Sequence, residues 1–177
     1  MSRRRIVLRL ACLAAASVVV VAQAPAQEAV KETVLNAPRG LPVKVRMEGP
    51  YTAVASLQVV CYFEHRPTGD FTRGAPVELD RRLGGVIASL RDREEFRGDP
   101  LETILLTPPP NAIKARALLL IGLGDEAMLS AGLMEQVGRA ALREASRLRA
   151  TTVAFAPLIR DQGNDTIGTG EGERAVA

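Results

Sequence analysis

The chain has 177 residues, 47% of them hydrophobic and 24% charged, which suits one globular domain with its own core and excludes a disordered polymer. Aromatics make up only 3% and Trp is absent, so a base- or sugar-stacking platform has little material. The formal net charge of +3 comes from the first residues: without Arg3, Arg4, Arg5 and Arg9, 19 Lys+Arg stand against 20 Asp+Glu, and nothing in the balance calls for nucleic acid.

Residues 1–26 read as a cleavable export signal. Arg3 to Arg5 form the positive start, Leu10 to Ala22 the apolar centre, and Ala24-Pro25-Ala26 the small-residue cut. Ser2-Arg3-Arg4-Arg5-Ile6-Val7 also resembles a twin-arginine signal, which exports a domain already folded. Arg9 shortens the apolar stretch, so no stable membrane anchor is expected. The expected location is periplasmic or secreted. Cys12 leaves with the leader, and Cys61, alone in an apolar run, reads as a small buried hydrophobe on a strand.

Residues 27–50 read as an N-terminal linker followed by an edge strand over Val43–Met47, where apolar and charged residues alternate. Leu57 to Phe63 is dense in β-branched and aromatic residues and predicts a buried strand. Val77 to Phe96 predicts one helix, with Leu79, Leu83, Val86, Ile87 and Leu90 inward and Arg81, Arg82, Arg91, Arg93 and Glu94 largely off that face. Gly98 ends it.

Thr103–Thr107 predicts a short strand, Pro108–Pro110 an extended crossing, and Ala115–Ile121 a central strand. Ser130 is the natural N-cap of a second helix carrying the stripe Met134, Val137, Ala141, Ala145, Leu148. Its charged residues Arg139, Arg143, Glu144, Arg147 and Arg149 read as solvated. Thr151–Ala156 is the last strand, so residues 51–159 form the domain, and residues 160–177 read as a flexible polar tail. Alternating strands and helices imply an α/β fold, three layers (α/β/α) around a mixed, mostly parallel sheet.

Gly122-x-Gly124-x-x-Ala127 follows a strand and invites comparison with a dinucleotide turn, whose N–H groups and helix N-terminus would face a phosphate. Gly122, Gly124 and Asp125 are therefore the candidate cofactor-binding residues. Two features oppose that role: the helix cap falls late, at Ser130, and the next strand ends in Phe155-Ala156-Pro157 where a ribose-binding acid is wanted. The turn reads better as a corner. His65 is the sole histidine, no Cys/His ligand set exists, and Asp161, Asp165, Glu171 and Glu173 lack a calcium-loop pattern. No metal site and no catalytic residue is expected.

Val59-Val-Cys-Tyr-Phe-Glu, the helix from Leu79, Glu102-Thr-Ile-Leu-Leu, Ala117-Leu-Leu-Leu-Ile-Gly-Leu-Gly and Gln136-Val-Gly-Arg-Ala-Ala together resemble the N-terminal domain of leucyl aminopeptidases. The resemblance covers Thr52 to Leu158. It implies a macro-domain-like fold and a role in assembly, with DNA binding in some bacterial members. In that family catalysis belongs to a separate domain with two divalent metals, and neither the Asn-Thr-Asp-Ala-Glu-Gly-Arg motif nor the Lys-Gly-x-Thr-Phe-Asp-Ser-Gly-Gly motif occurs in this sequence. The expectation is an exported, non-catalytic domain without cofactor, serving self-association, association with a peptidase domain, or small-ligand binding. The alternatives are the front part of an exported two-metal aminopeptidase and a macro-like binder of ADP-ribose or a nucleotide.

Overall fold

Two buried strands set the architecture. In a computed structural model, which describes residues 32–37, 40, 42–66 and 73–176, β3 (Leu57–Phe63) and β5 (Ala117–Gly124) run parallel and adjacent. Neither strand alternates apolar with polar because both of its faces are covered. Leu57, Val59, Cys61 and Phe63 of β3 and Leu119, Ile121 and Leu123 of β5 enter one apolar layer. Val60 and Tyr62, with Leu118 and Leu120, enter the other. Each Val, Leu or Ile so buried contributes roughly 1.5–3 kcal/mol against the entropy of ordering the chain.

β6 (Val153–Ala156) adds to β3 in parallel and β4 (Thr103–Leu106) adds to β5 antiparallel, giving the order β4-β5-β3-β6. Helices cover both faces, so the fold is α/β with a mixed sheet, as the alternation of elements implied. On one face lies α3 (Ala131–Arg147), begun where expected: Ser130 Oγ accepts from the Leu133 N–H at 3.2 Å. Met134, Val137, Ala141 and Ala145 face the sheet, with Leu148 partly buried beside them.

The other face carries α1 (Ala75–Arg82) and α2 (Val86–Asp92) in place of the single helix expected over 77–96. Gly84 and Gly85 take φ of +74° and +80°, a conformation that no right-handed helix contains, and the chain turns there. Asp80 Oδ1 then accepts from the Ile87 and Ala88 N–H groups and restarts the helix. The break also moves Arg91 from the expected solvent side to the core, where it is 1% exposed. Its Nη2 donates to Phe63 O at 2.9 Å, and the guanidinium lies over the Tyr62 and Phe96 rings at 5.5 and 5.7 Å.

Both ends of the domain differ from expectation. Within the stretch read as a linker, β1 (Glu32–Asn36) pairs antiparallel with β2 (Pro42–Arg46) in a separate two-stranded sheet. Glu32, joined to Lys44 and Arg46 by ion pairs of 3.1 and 2.6 Å, ties the ribbon across its strands. At the other end, residues 160–176 are folded rather than a bare tail. A 3-10 turn (Arg160–Gln162) and α4 (Thr169–Val176) follow, and Ile159 and Ile167 are buried in the α3-side core. α4 packs on α3 at Gly138, where a Cβ would come within 2.9 Å of Val176 Cα, so the approach needs glycine. The expected signal, 1–26, lies outside the described residues. Among the described residues no helix is long and apolar enough to cross a membrane.

Candidate functional site

In an open α/β sheet, ligands gather where parallel strands end. Here that place is the tips of β3 and β5, where Gly122, Gly124 and Asp125 stand in sequence. The loop 97–102 lies across them. Gly122 N–H donates to Glu102 O at 2.8 Å, Leu101 N–H donates to Gly122 O at 2.9 Å, and Gly124 N–H donates to Gly98 O at 2.8 Å. Glu64 N–H donates to Gly124 O at 3.0 Å. The two N–H groups that a phosphate would need are thus bonded to the protein's own carbonyls.

Side-chain space is used up as well. A Cβ built on Gly122 would lie 2.5 Å from Gly98 C and closer still to Asp99 O, and one on Gly124 would lie 2.6 Å from Pro100 Cγ. Gly124 also has φ of +73°, so it serves both as the turn and as the bed for Pro100. Glu102 holds the loop from beneath: its Oε2 accepts from the Gly98 and Asp99 N–H groups at 2.8 and 3.1 Å. Asp125 is exposed, and its Oδ1 accepts from the Ala127 N–H at 2.9 Å, capping a 3-10 turn over Glu126–Met128. That turn separates the glycines from the N-terminus of α3.

The opposite side of β3 is closed by one amide. Beyond the last ladder pair, Val60 with Ala156, β3 runs on alone. Gln162 supplies the missing partner: its Oε1 accepts from Phe63 N–H at 2.9 Å, and its Nε2 donates to Cys61 O at 2.9 Å and Leu158 O at 3.0 Å. The motif reading did not single out this residue, because nothing in a Gly/Asp-rich stretch marks which amide folds back onto a strand. Around the rim, Arg66 pairs with Glu126 and Arg97 with Asp99. His65 is half-buried, with its N–H on Arg97 O at 2.7 Å. Cys61 is wholly buried, and burial pushes its thiol far above the ordinary range, away from nucleophilic use. Among the described residues no group of three or more His, Cys, Asp or Glu could hold a metal ion.

A second feature lies on the outer face of α3. Arg139, Leu142, Arg143 and Ser146 line a shallow, open depression, and Leu142 is 54% exposed. The arginines were visible in the sequence as solvated charge. Leu142 is the departure, an apolar residue set apart from the buried stripe.

Comparison with known proteins decides the family. The profile of the cytosol aminopeptidase family, N-terminal domain, matches residues 59–171, more than half of the chain. The chain belongs to this family. The probable cytosol aminopeptidase of Alkaliphilus metalliredigens (strain QYMF) is 34% identical over 80 residues, covering 45% of this chain and 16% of that protein. The probable cytosol aminopeptidase of Synechococcus sp. (strain JA-3-3Ab) is 28% identical over 122 residues, covering 68% of this chain and 23% of that protein. The chain therefore spans roughly a fifth of the length of these curated relatives. As a cytosol aminopeptidase N-terminal domain, it carries most of β3, the glycine corner and α3 inside the matched region, whereas the β1–β2 ribbon precedes it.

Proposed function

We propose that this N-terminal domain acts through protein association, as an exported accessory domain with no reaction of its own. One observation carries the reading: the strand tips, where an α/β sheet would take a small ligand, are filled by the loop 97–102 and by Gln162. Among the surfaces that remain open is the exposed outer face of α3, which is shallow and suits another protein better than a small molecule. The partner is a second copy or a peptidase domain of the aminopeptidase kind.

Sedimentation velocity of the purified chain, alone and mixed with a separately produced peptidase domain of a cytosol aminopeptidase, tests this. A concentration-dependent rise in sedimentation coefficient, or co-sedimentation, supports association. A strict monomer in both arms overturns it. Export is tested by a fusion of residues 1–31 to alkaline phosphatase, which is active only outside the cytoplasm.

A second reading rests on coverage. The relatives are about three times as long as this chain, which supports reading it as the front part of an exported two-metal aminopeptidase, whose metals and peptide hydrolysis belong to a following domain. A peptidase assay of this chain with added manganese or zinc is then blank, and turnover by the pure domain refutes both readings. The nucleotide reading at Gly122, Gly124 and Asp125 requires loop 97–102 to leave its bed. Thermal stabilisation by millimolar ADP-ribose would favour it over association.

A further inference from the structure

The four-stranded sheet ends in β6 on one side and β4 on the other, and the two edges are not equally guarded. We infer that β6 is a dimerisation edge, where β6 of a second copy adds antiparallel about a two-fold axis through Ala154 and joins the two sheets into one. The inference rests on the association reading and names its surface and its occupant.

The ladder with β3 fixes which backbone groups of β6 stay open. Leu57 N–H donates to Thr152 O at 3.2 Å, and Leu57 pairs with Val153 and Val59 with Phe155. In a parallel ladder of that register, Ala154 and Ala156 turn their N–H and C=O groups to β3, whereas Val153 and Phe155 turn theirs away. Among the described residues no strand pairs with that outer side, and Val153 is 42% exposed. Native edges are blunted by charge, proline or a bulge. β6 contains none of these, and the sequence carries no charge from Ala150 to Ile159. Pro157 only confines pairing to the residues before it. β4, in contrast, begins beside the Glu102 carboxylate and is followed after Thr107 by three prolines.

The second copy is the occupant that β6 itself specifies. With Ala154 on the axis, Val153 lies opposite the second copy's Phe155, and Phe155 opposite its Val153. These are the residues whose backbone faces outward, so each exchanges both of its N–H···O bonds. Their side chains share the α3 face, where Phe155 is partly buried, and form an aromatic–β-branched pair on each side of the axis. Ala154 falls at a non-hydrogen-bonded position, where strands approach most closely and a small side chain fits. A register shifted by one residue would instead present Ala154 groups that β3 already uses. A charged segment finds no counter-charge on this strand. One short strand per copy is far less contact than an obligate dimer makes, so monomer and dimer exchange.

The test uses the full chain in sedimentation equilibrium and amide exchange over a concentration series. Expected is a reversible monomer–dimer equilibrium in which the Val153 and Phe155 amides gain protection as concentration rises. Val153→Pro removes an outward N–H at the first residue of the strand, where proline is tolerated, and weakens the dimer roughly tenfold or more. Val153→Lys keeps the N–H, adds charge to the edge and weakens the dimer several-fold. Leu105→Lys, the same charge on β4, leaves it within about twofold. Ala154→Cys, with Cα atoms about 4.5 Å apart across the axis, closes a disulfide between copies under mild oxidation. Ala156→Cys, two residues off the axis, gives no more crosslink than the parent chain. The crosslink leaves every backbone donor in place and so decides the matter if Val153→Pro does not fold. A dimer that survives both Val153 variants, that Leu105→Lys weakens instead, or that Ala156→Cys traps as readily as Ala154→Cys overturns the proposal. A chain that is monomeric alone but co-sediments with the peptidase domain also overturns it, while the association reading stands. If the chain is monomeric in both arms, both fall.

Discussion

Replacing Gly122 by alanine is the sharpest probe of the strand-tip corner. The new methyl would meet backbone, not a flexible side chain, at Gly98 C and Asp99 O, so the loop 97–102 must move as a unit. Overpacking of this kind costs about 1–3 kcal/mol. The displaced loop also gives up the Gly122–Glu102 and Leu101–Gly122 hydrogen bonds, each worth about 0.5–1.5 kcal/mol net. The total is about 2–6 kcal/mol, a large part of the ~5–15 kcal/mol that holds a typical domain together. Urea unfolding followed by far-UV circular dichroism reads this as a lower midpoint with an unchanged slope. Gly132→Ala is the matched control: nothing lies within 4 Å of its added methyl on the exposed side of α3, and it is expected to stabilise by up to about 1 kcal/mol. A Gly122→Ala protein within about 0.5 kcal/mol of the parent would refute the packed corner and return the turn to the status of an open cradle.

Four further outcomes are expected. Gln162→Ala strands Phe63 N–H and Cys61 O at the edge of a buried strand and lowers stability by about 1–3 kcal/mol, again by urea midpoint; an unchanged midpoint would mean that water serves equally well. Gln58 is 1% exposed, and its Oε1 has no hydrogen-bond partner among the described residues, so Gln58→Met should raise stability by about 1 kcal/mol, a gain that calorimetry will show or deny. Cys61 in the folded chain should resist a thiol reagent at pH 8 and react at once in denaturant; rapid labelling of native protein would contradict its burial. Glu78 is held down to about 2 by hydrogen bonds from Arg81 and Arg82. Its folded-state pKa lies below the ordinary 4.5, so whatever stability it adds is complete above about pH 4.5 and disappears as the pH falls towards 2. An NMR titration of the Glu78 carboxyl carbon with a midpoint near 4.5 would remove the Arg81–Arg82 clamp.

The parts of this fold that could be read from sequence are those whose cause is local. The apolar runs at Leu57–Phe63, interrupted only by Gln58, and at Ala117–Ile121 demand burial on two faces, and Ser130 followed by a 3.6-residue stripe demands a capped helix. What escaped was decided at a distance. Gly84-Gly85 could be a tolerated weakness or a break, and the choice depended on Asp80 being free to cap the second helix. Arg91 belongs on the charged side by pattern, yet the carbonyl of Phe63 and two rings await it in the core. Glu32–Asn36 becomes a strand only because Pro42–Arg46 lies opposite. The candidate site followed the same division: Gly122 and Gly124 were visible as a turn, and their late helix cap was visible too. Loop 97–102 occupying the turn was not, since no short motif encodes the contact between Gly98 and Gly124.

The β1–β2 ribbon gives the molecule two rates of opening. It precedes the family match and has no substantial packing on any other helix or strand among the described residues, and a lone two-stranded ribbon is marginal in water. Its amide protons should therefore exchange with solvent long before those of β3 and β5, whose release requires the whole sheet to come apart. Proteases should likewise find residues 32–46 while the family domain behind them is intact.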